Sequence, residues 1–262
     1  MSRNILRKYE DHMNEYLKNL NRIEFIVTMA CTGRCKHCSE GDHANYTEYI
    51  DAEIAVESVR KICENYKITS LMTFGGEPLL HPDVVCAIHK AAKDMEISKR
   101  QVITNGYFSK KHERIEEVVR EVAGSGVNDL LLSVDAFHQE TIPLEPVKYF
   151  AECTKISGIP IRLSPAWLVS PEDQNPYNIR TIEIIREFEP MGIPIGSGNA
   201  VFPSGNALKY LREFFDENVV ESSPYEDDPR DIRAISFSPN GDVLNGNVYK
   251  TDILEIMKNY QP

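Results

Sequence analysis

The sequence of 262 residues has no excess of basic residues and no long apolar run. It carries 29 Lys and Arg against 40 Asp and Glu, which gives a formal net charge of −11. This negative field disfavours polyanions, and no local basic patch is visible, so no nucleic-acid partner is expected. Residues 1–22 interrupt their apolar positions with charges, unlike a signal peptide or a membrane span. The expectation is a cytoplasmic protein with no membrane partner.

Cysteine is absent after Cys153, and the sequence has six cysteines in all. In a reducing cytosol such residues are free thiols or metal ligands more often than disulfides. Cys63, Cys86 and Cys153 each stand alone in a stretch with helical periodicity, which favours simple packing as small hydrophobic residues. The other three are clustered within "CTGRCKHC", residues 31–38.

Six apolar stretches with strand character alternate with amphipathic helical patterns. The central residues of the last five lie 30 positions apart: Thr73, Ile103, Ser133, Leu163 and Ile193. This interval is about the length of one strand-plus-helix unit. Helix start signals occur at Asp51, Pro82 and Ser109, and "PMG" at 190–192 is a stop signal. The pattern predicts a parallel α/β fold built from βα units.

About sixty residues follow the sixth apolar stretch, too few for the two further units of a complete eight-fold barrel. They are typical of a hairpin around "PNG" at 239–241, followed by a short helix. The prediction is an α/β fold, a partial (β/α)6 TIM-like barrel with an N-terminal helix and a small C-terminal hairpin-plus-helix appendage. The predicted boundaries are 1–21 for the helix, 22–216 for the barrel and 217–262 for the appendage.

The clustered cysteines follow the first predicted strand, where parallel βα folds place their chemistry. The segment 30–49 is the longest predicted βα loop, which suits a binding loop. Three thiolates can hold a [4Fe–4S] cluster by three irons and leave the fourth iron open. A zinc site with His37 or His43 as fourth ligand is the alternative, as is packing alone. Zinc sites usually show paired two-residue spacings, so the spacing favours iron–sulfur.

Two motifs carry a family resemblance. "CTGRCKHC" resembles the three-cysteine motif of the radical S-adenosylmethionine enzymes, and "FGGEPLLHPD" at 74–83 resembles their glycine-rich motif after strand two. The residue before the last cysteine is often aromatic in that family and is His37 here, which is interpreted as a tolerated variant. The resemblance covers about residues 22–200.

The resemblance implies that three cysteines are the ligands of a [4Fe–4S] cluster: Cys31, Cys35 and Cys38. It further implies that S-adenosylmethionine chelates the open iron and that its reductive cleavage yields a 5′-deoxyadenosyl radical. An electron donor such as flavodoxin or ferredoxin is the implied partner. The protein is therefore expected to be an iron-sulfur oxidoreductase of this family.

Further residues are predicted to bind S-adenosylmethionine. By resemblance, the motif at 75–78 receives the methionine amino group, and polar residues at later strand ends contact the ribose or the methionine head. These residues are Gly75, Gly76, Glu77, Pro78, Asn105, Ser133, Asp135, Arg162 and Ser164. Helix capping is the alternative for Asp135. His138 is either a substrate-facing residue or a structural hydrogen bonder.

The C-terminal segment "FSPNGDVLNGN" resembles the start of the SPASM extension of peptide-modifying family members. Asn245 stands where those members carry cysteine, so no auxiliary cluster of that kind is expected. The leading hypothesis is hydrogen abstraction from a peptide or protein, with a small metabolite as the alternative substrate. The rival hypothesis is a non-catalytic scaffold that keeps iron–sulfur or zinc as a structural element.

Overall fold

The computed structural model describes residues 14–43 and 45–262. The helix predicted over residues 1–21 therefore lies largely outside the described residues. Within them, a 3-10 helix at Glu15–Leu17 begins at Asn14, whose side chain accepts a hydrogen bond from the Tyr16 N–H. In the described ranges, no helix combines the length and apolar character needed to span a membrane.

Strands and helices alternate as predicted through the first two thirds of the chain. The strands are β1 (Arg22–Thr28), β2 (Ser70–Gly75), β3 (Lys99–Thr104), β4 (Asp129–Leu132) and β5 (Ile161–Leu163). The helices are α1 (Ala52–Asn65), α2 (Pro82–Asp94), α3 (His112–Ser125), α4 (Ala136–Gln139) and α5 (Leu144–Ile156). Local signals account for several boundaries: Asp51 caps α1 by accepting from the Ile54 N–H, Pro82 opens α2, and Gly126 ends α3 with a φ of 95°.

Shorter elements make up the last third. They are β6 (Ala166–Trp167), α6 (Pro176–Arg186), β7 (Asn199–Ala200), α7 (Gly205–Tyr210), β8 (Ala234–Phe237), β9 (Asp242–Val243), β10 (Gly246–Asn247) and α8 (Ile253–Asn259). Three 3-10 turns lie at Pro78–Leu80, Glu189–Met191 and Arg212–Phe214. The predicted C-terminal helix is present as α8, which an ion pair between Lys61 and Asp252 ties to α1.

The main sheet has six parallel strands in the order β5-β4-β3-β2-β1-β8. Among the described residues β5 and β8 are its two edges, so the sheet does not close into a full barrel. This topology confirms the predicted α/β class and the partial barrel. Because all strands run the same way, their carboxyl ends lie at one edge of the sheet.

The sixth strand differs from the prediction. The segment around Ile193 contributes only an isolated bridge between Leu163 and Ile195. Its proline and glycines, in "GIPIGSG", disfavour a regular ladder, since proline lacks an N–H and glycine buries no side chain. The sixth strand of the sheet is β8, which pairs with β1. The Phe237 ring on β8 stacks on the Phe25 ring on β1, with the ring centroids 4.6 Å apart.

The strand pairing around residues 239–241 also differs from the predicted hairpin. Strand β8 pairs with β1, and the antiparallel pair is β9 with β10, joined through Leu244 and Asn245. Part of the predicted appendage therefore completes the main sheet. The boundary at residue 217 stays a prediction.

The two faces of the sheet have different environments. The outer face lies under the helices, and its side chains are fully buried: Ile23, Phe25, Leu71, Val102, Leu130 and Leu132. The inner face is half-buried and mixes apolar with charged side chains: Glu24, Ile26, Phe74, Ile103, Leu131 and Arg162. Alternate residues of each strand account for this division. The inner face and the strand ends above it are thus the open part of the fold.

Candidate metal centre at the strand ends

The three cysteines lie in the loop between β1 and α1, and both ends of this loop are held together. The Thr28 hydroxyl donates to the Glu48 carbonyl at 2.6 Å and accepts from the Ala30 N–H at 3.0 Å. The Ile50 N–H donates to the Val27 carbonyl at 2.9 Å. These bonds return the loop to the end of β1, so the cysteines stay above the strand ends.

The three thiols lie close enough to influence one another. Burial raises the pKa of Cys31 to about 11, and the neighbouring Cys38 raises it as well. Cys35 is only 8% exposed, and burial, then Asp135, Cys31 and Cys38, raise the pKa of its thiol further. Three thiols that resist ionisation together need a bound cation to become thiolates, because a metal ion deprotonates its thiol ligands. The donor set therefore fits a thiolate-bound metal centre.

An apolar cluster shields one side of the loop. Cys35 packs in a cluster of buried residues that also contains Phe137, Ala166, Leu168, Val201, Ala207 and Leu211. The Tyr177 ring stacks on Phe137 at a centroid distance of 4.6 Å. Such a cover excludes water from the thiols and sets the potential of a metal centre held there.

The glycine-rich motif at the end of β2 rests directly on the cysteine loop. The N–H groups of Gly76 and Glu77 donate to the carbonyls of Thr28 and Ala30, both at 2.8 Å. A Cβ on Gly75, whose φ is 131°, would lie 2.4 Å from the Thr28 oxygen, and one on Gly76 would lie 2.3 Å from the Ala30 oxygen. The two glycines are required because two backbones lie at hydrogen-bonding distance.

Gly76→Ala should therefore destabilise the cluster-free protein by about 2–3 kcal/mol, since the new methyl group meets backbone oxygens that cannot rotate away. Urea unfolding followed by circular dichroism measures the effect. Gly124→Ala is the matched control, because its Cβ would meet nothing within 4 Å and the position is helical, which favours alanine. Equal stability of the two variants would contradict the close docking of these segments.

Glu77 connects this motif with the end of β3. Its carboxylate is 0% exposed and accepts three hydrogen bonds, from the Thr104 hydroxyl at 2.7 Å, the Asn105 N–H at 2.8 Å and the Leu79 N–H at 2.9 Å. Burial raises the pKa of Glu77 to about 7 despite these bonds. The side chain thus braces two neighbouring strand ends from inside the protein.

Asn105 brings the end of β3 to the cysteine loop. Its amide nitrogen donates to the Thr32 hydroxyl at 3.2 Å and lies 3.6 Å from the Cys31 sulfur, while its carbonyl oxygen accepts from the Tyr107 N–H. The structure therefore gathers the predicted cysteine, Glu77 and Asn105 positions at one place. Pro78 follows at the start of the 3-10 turn and is buried.

Asp135 is the cap of α4, the alternative left open by its sequence position. One carboxylate oxygen accepts from the His138 N–H at 3.0 Å. The other accepts from the Ala166 N–H at 3.0 Å and lies 2.8 Å from the His138 Nδ1. Although burial acts in the opposite direction, His138 holds the pKa of Asp135 well below its usual range. A direct contact of Asp135 with a cofactor stays a prediction.

Ser133 and Ser164 directly follow β4 and β5, and Arg162 is the middle residue of β5. The two serines are half-buried, and their N–H groups extend the ladder to Thr104 and Leu132. The Arg162 guanidinium makes a two-pronged contact with Asp129, with both distances at 3.0 Å, near the opposite end of β4. A cofactor carboxylate would have to replace Asp129 as the partner of Arg162. The predicted cofactor contacts of all three residues remain predictions.

Two histidines also approach the thiols. The His43 Nε2 lies 3.1 Å from the Cys38 sulfur. A ring nitrogen of His37, one of His138 and the Cys35 sulfur lie within 4.8 Å of one another. Sequence reasoning missed the pairing of His138 with Asp135, although a spacing of three residues at a helix start is the signal that indicates it.

An open parallel barrel with three thiols gathered at its strand ends defines a class of metal-binding α/β proteins. The family model of the Radical SAM superfamily matches residues 25–156, half of the chain, and the chain belongs to this superfamily. Its members use a [4Fe–4S] cluster and S-adenosylmethionine. The three cysteines and the glycine-rich motif lie inside the matched range.

Curated relatives include GTP 3′,8-cyclase of Clostridium perfringens, 21% identical over 206 residues that cover 71% of this chain and 59% of that protein. Another is a probable GTP 3′,8-cyclase of Archaeoglobus fulgidus, 34% identical over 123 residues, 47% of this chain and 39% of that one. The chain thus spans less than two thirds of the length of these relatives.

Solved structures show the same fold. SuiB of Streptococcus suis, bound to S-adenosylmethionine, matches with a TM-score of 0.62 at 16% identity, over 98% of this chain and 69% of SuiB. The anSMEcpe protein with bound AdoMet matches with a TM-score of 0.58 at 11% identity, over 92% of this chain and 81% of that one.

Proposed function

We propose that this protein is a radical SAM enzyme whose [4Fe–4S] cluster is held by Cys31, Cys35 and Cys38. The observation that carries the proposal is the convergence of three mutually interacting thiols in a loop clamped at both ends. When bound, the cluster and S-adenosylmethionine supply reductive cleavage of a carbon–sulfur bond and, from it, hydrogen abstraction. The protein supplies position, shielding and the substrate site.

Different residues of this chain provide the positioning, the shielding and the substrate site. Glu77 and Asn105 hold the ends of β2 and β3 against the cysteine loop. The apolar cluster around Phe137 keeps water away from Cys35. Below the strand ends, half-buried apolar side chains of the inner face form a surface on which a substrate is screened from solvent: Ile26, Phe74, Ile103 and Leu131.

The proposed substrate is a peptide or protein, and the inner face supports this choice by its mixture of charged and apolar side chains. Glu24 and Asp129 place carboxylates on this face. Glu24 pairs with Arg22, and Asp129 pairs with Arg162 and with Lys99. The Glu24 carboxylate also accepts from the Ser236 hydroxyl at 2.7 Å. Peptide groups offer both donors and acceptors, which suits a face that carries paired charges beside half-buried apolar side chains.

The comparisons support two substrate classes. SuiB, which has this fold, has been crystallised with its precursor peptide SuiA. The curated relatives act on GTP by name, so a nucleotide or another small metabolite is the second candidate. An electron donor of the flavodoxin or ferredoxin kind is the proposed partner. The cytoplasmic location stays a prediction.

The test is anaerobic reconstitution with iron and sulfide, followed by addition of S-adenosylmethionine and dithionite. We expect a brown protein with sulfur-to-iron charge-transfer absorption and release of 5′-deoxyadenosine, measured by chromatography. A colourless protein that binds zinc and leaves S-adenosylmethionine intact would contradict the proposal. In a second arm, GTP should not accelerate 5′-deoxyadenosine release, and acceleration by GTP would favour the nucleotide candidate.

A further inference from the structure

The second half of the cysteine loop, residues 35–43, is held by a part of the chain without a role in the proposed function so far. The bonds around Thr28 fix the two ends of the loop at the end of β1. Further along, the Cys38 N–H donates to the Cys35 carbonyl and the Gly41 N–H to the Cys38 carbonyl, both at 3.3 Å. These turn bonds are long for N–H···O bonds, so this half, which carries two of the three thiols, gains from support by another segment.

Asn206, in the first turn of α7, provides this support. Its backbone N–H donates to the Cys38 carbonyl at 2.8 Å. Its side-chain amide donates to the carbonyls of Cys35 and Gly41, both at 3.2 Å. A side-chain amide has two N–H donors, so both are used. One residue thus binds three carbonyls of the loop, and two of these belong to predicted cluster ligands.

The neighbours of this residue in α7 lie against the same part of the site. A Cβ on Gly205, whose φ is 51°, would lie 2.3 Å from the Ser39 oxygen and 2.7 Å from the Cys38 oxygen. Glycine is required for such a close approach of two backbones. Ala207 is fully buried in the apolar cluster that also contains Cys35. The start of α7 is therefore docked on the cysteine loop by backbone and by side chains.

The helix itself does not call for asparagine at position 206. The N-cap of α7 is Ser204, and the two hydrogen bonds that the structure describes for the Asn206 side chain both leave the helix. Alanine is more favourable than asparagine within a helix. The stability of α7 therefore does not account for the Asn206 amide, whereas its contacts with the cysteine loop do.

We propose that Asn206 is a positioning residue that holds the second half of the cysteine loop in the conformation that binds the cluster. The inference rests on the cluster of the proposed function. A cluster bound by three thiolates needs Cys35 and Cys38 in fixed positions relative to Cys31. A loop that is ordered before binding loses less conformational freedom when it binds, which increases affinity. Groups that orient metal ligands typically contribute 10- to 100-fold to metal affinity or activity.

The test measures how long the reconstituted cluster survives in excess EDTA, followed by its charge-transfer absorption. Asn206→Ala removes both amide donors, and Asn206→Asp keeps the shape but presents oxygens in their place. We expect both variants to lose the cluster at least about tenfold faster than wild type. Asn128→Ala is the matched control, because the Asn128 amide also donates to a carbonyl, that of Ser98 at 2.9 Å, but at the amino ends of β3 and β4. It should leave the rate of cluster loss unchanged.

A second measurement uses the cluster-free protein, so it does not depend on the metal. The rate of alkylation by N-ethylmaleimide is determined for each cysteine by mass spectrometry. In Asn206→Ala the thiol of Cys35 should react several-fold faster than in wild type, whereas Cys63, in α1, should react at the wild-type rate. A residue that only stabilises the whole fold would change both rates together, since global unfolding exposes both thiols.

The outcomes separate this inference from the proposed function. If wild-type protein assembles no [4Fe–4S] cluster, the proposed function fails, while alkylation still tests whether Asn206 holds the loop. Wild-type cluster survival in Asn206→Asp would overturn the inference, because the amide donors would not be needed. Equally fast cluster loss in Asn128→Ala, or an unchanged alkylation rate at Cys35, would also overturn it. Should Asn206→Asp not fold, Asn206→Ala decides by the same two measurements.

Discussion

Replacing any one of the three clustered cysteines by alanine should abolish cluster assembly and reduce 5′-deoxyadenosine release by more than about 100-fold, since even indirect partners of metal ligands contribute 10- to 100-fold. Cys31→Ala is the most informative of the three variants. Its sulfur accepts from the Gly33 N–H and lies beside the Asn105 amide, so removing it affects the site without opening the apolar cluster around Cys35. Iron and sulfide analysis together with the 5′-deoxyadenosine assay measure the loss.

The same variant separates an enzyme from a scaffold. In a structural metal site, binding energy is folding energy, so loss of a ligand lowers the melting temperature markedly. Here the loop is clamped by protein hydrogen bonds around Thr28, and the sheet beneath it has its own core. We therefore expect cluster-free Cys31→Ala to melt within a few degrees, roughly, of cluster-loaded wild type. Cys63→Ala, in α1, is the control that should keep the cluster. A Cys31→Ala protein that retains a full cluster would contradict the ligand assignment.

Much of the barrel could be predicted because its signals are local. Several βα units carry their own start signal, such as Asp51 before α1 or Pro82 in α2, and the regular interval of 30 residues follows from repeating this unit. The cysteine and glycine-rich motifs are likewise short and contiguous. Their meeting at the strand ends follows from parallel topology, which places all such ends together.

The parts that could not be predicted depend on partners far apart in the chain. The sequence predicts the β8 segment as one strand of a hairpin, whereas its pairing with β1 joins residues such as Phe25 and Phe237 across most of the sequence. The role of the two glycines was only partly predicted, since the backbone they approach is that of the cysteine loop. The three hydrogen bonds of Glu77 come from β3 and the 3-10 turn, and no local pattern encodes them.

Glu77→Ala should be among the most destabilising single substitutions in the cluster-free protein, with a loss of about 3–5 kcal/mol. The change leaves three buried donors without an acceptor, those of Thr104, Asn105 and Leu79, and each buried unsatisfied group costs about 1–3 kcal/mol. Urea unfolding under anaerobic conditions measures it. Glu117→Ala, on the exposed face of α3, should change the stability by less than about 0.5 kcal/mol.

Glu77→Gln tests the charge of the same group through pH. Burial raises the pKa of Glu77 in the folded protein to about 7 from an ordinary value of 4.5, so between these values the folded protein binds a proton that the unfolded chain has released. The resulting stabilisation is fully present below about pH 4.5 and is lost as the pH rises through 7, a change of about 3 kcal/mol. Burial lowers the pKa of His37 and His89, whose contributions change in the opposite direction, but both variants share them.

The difference in unfolding free energy between wild type and Glu77→Gln isolates the carboxyl group. It should favour wild type most at pH 4.5 to 5 and decrease by about 3 kcal/mol by pH 8, where the buried carboxylate is ionised and glutamine remains neutral. A difference that stays constant with pH would show that the strand ends meet around a carboxylate already ionised at pH 5. In that case the three hydrogen bonds, rather than burial, would dominate its pKa.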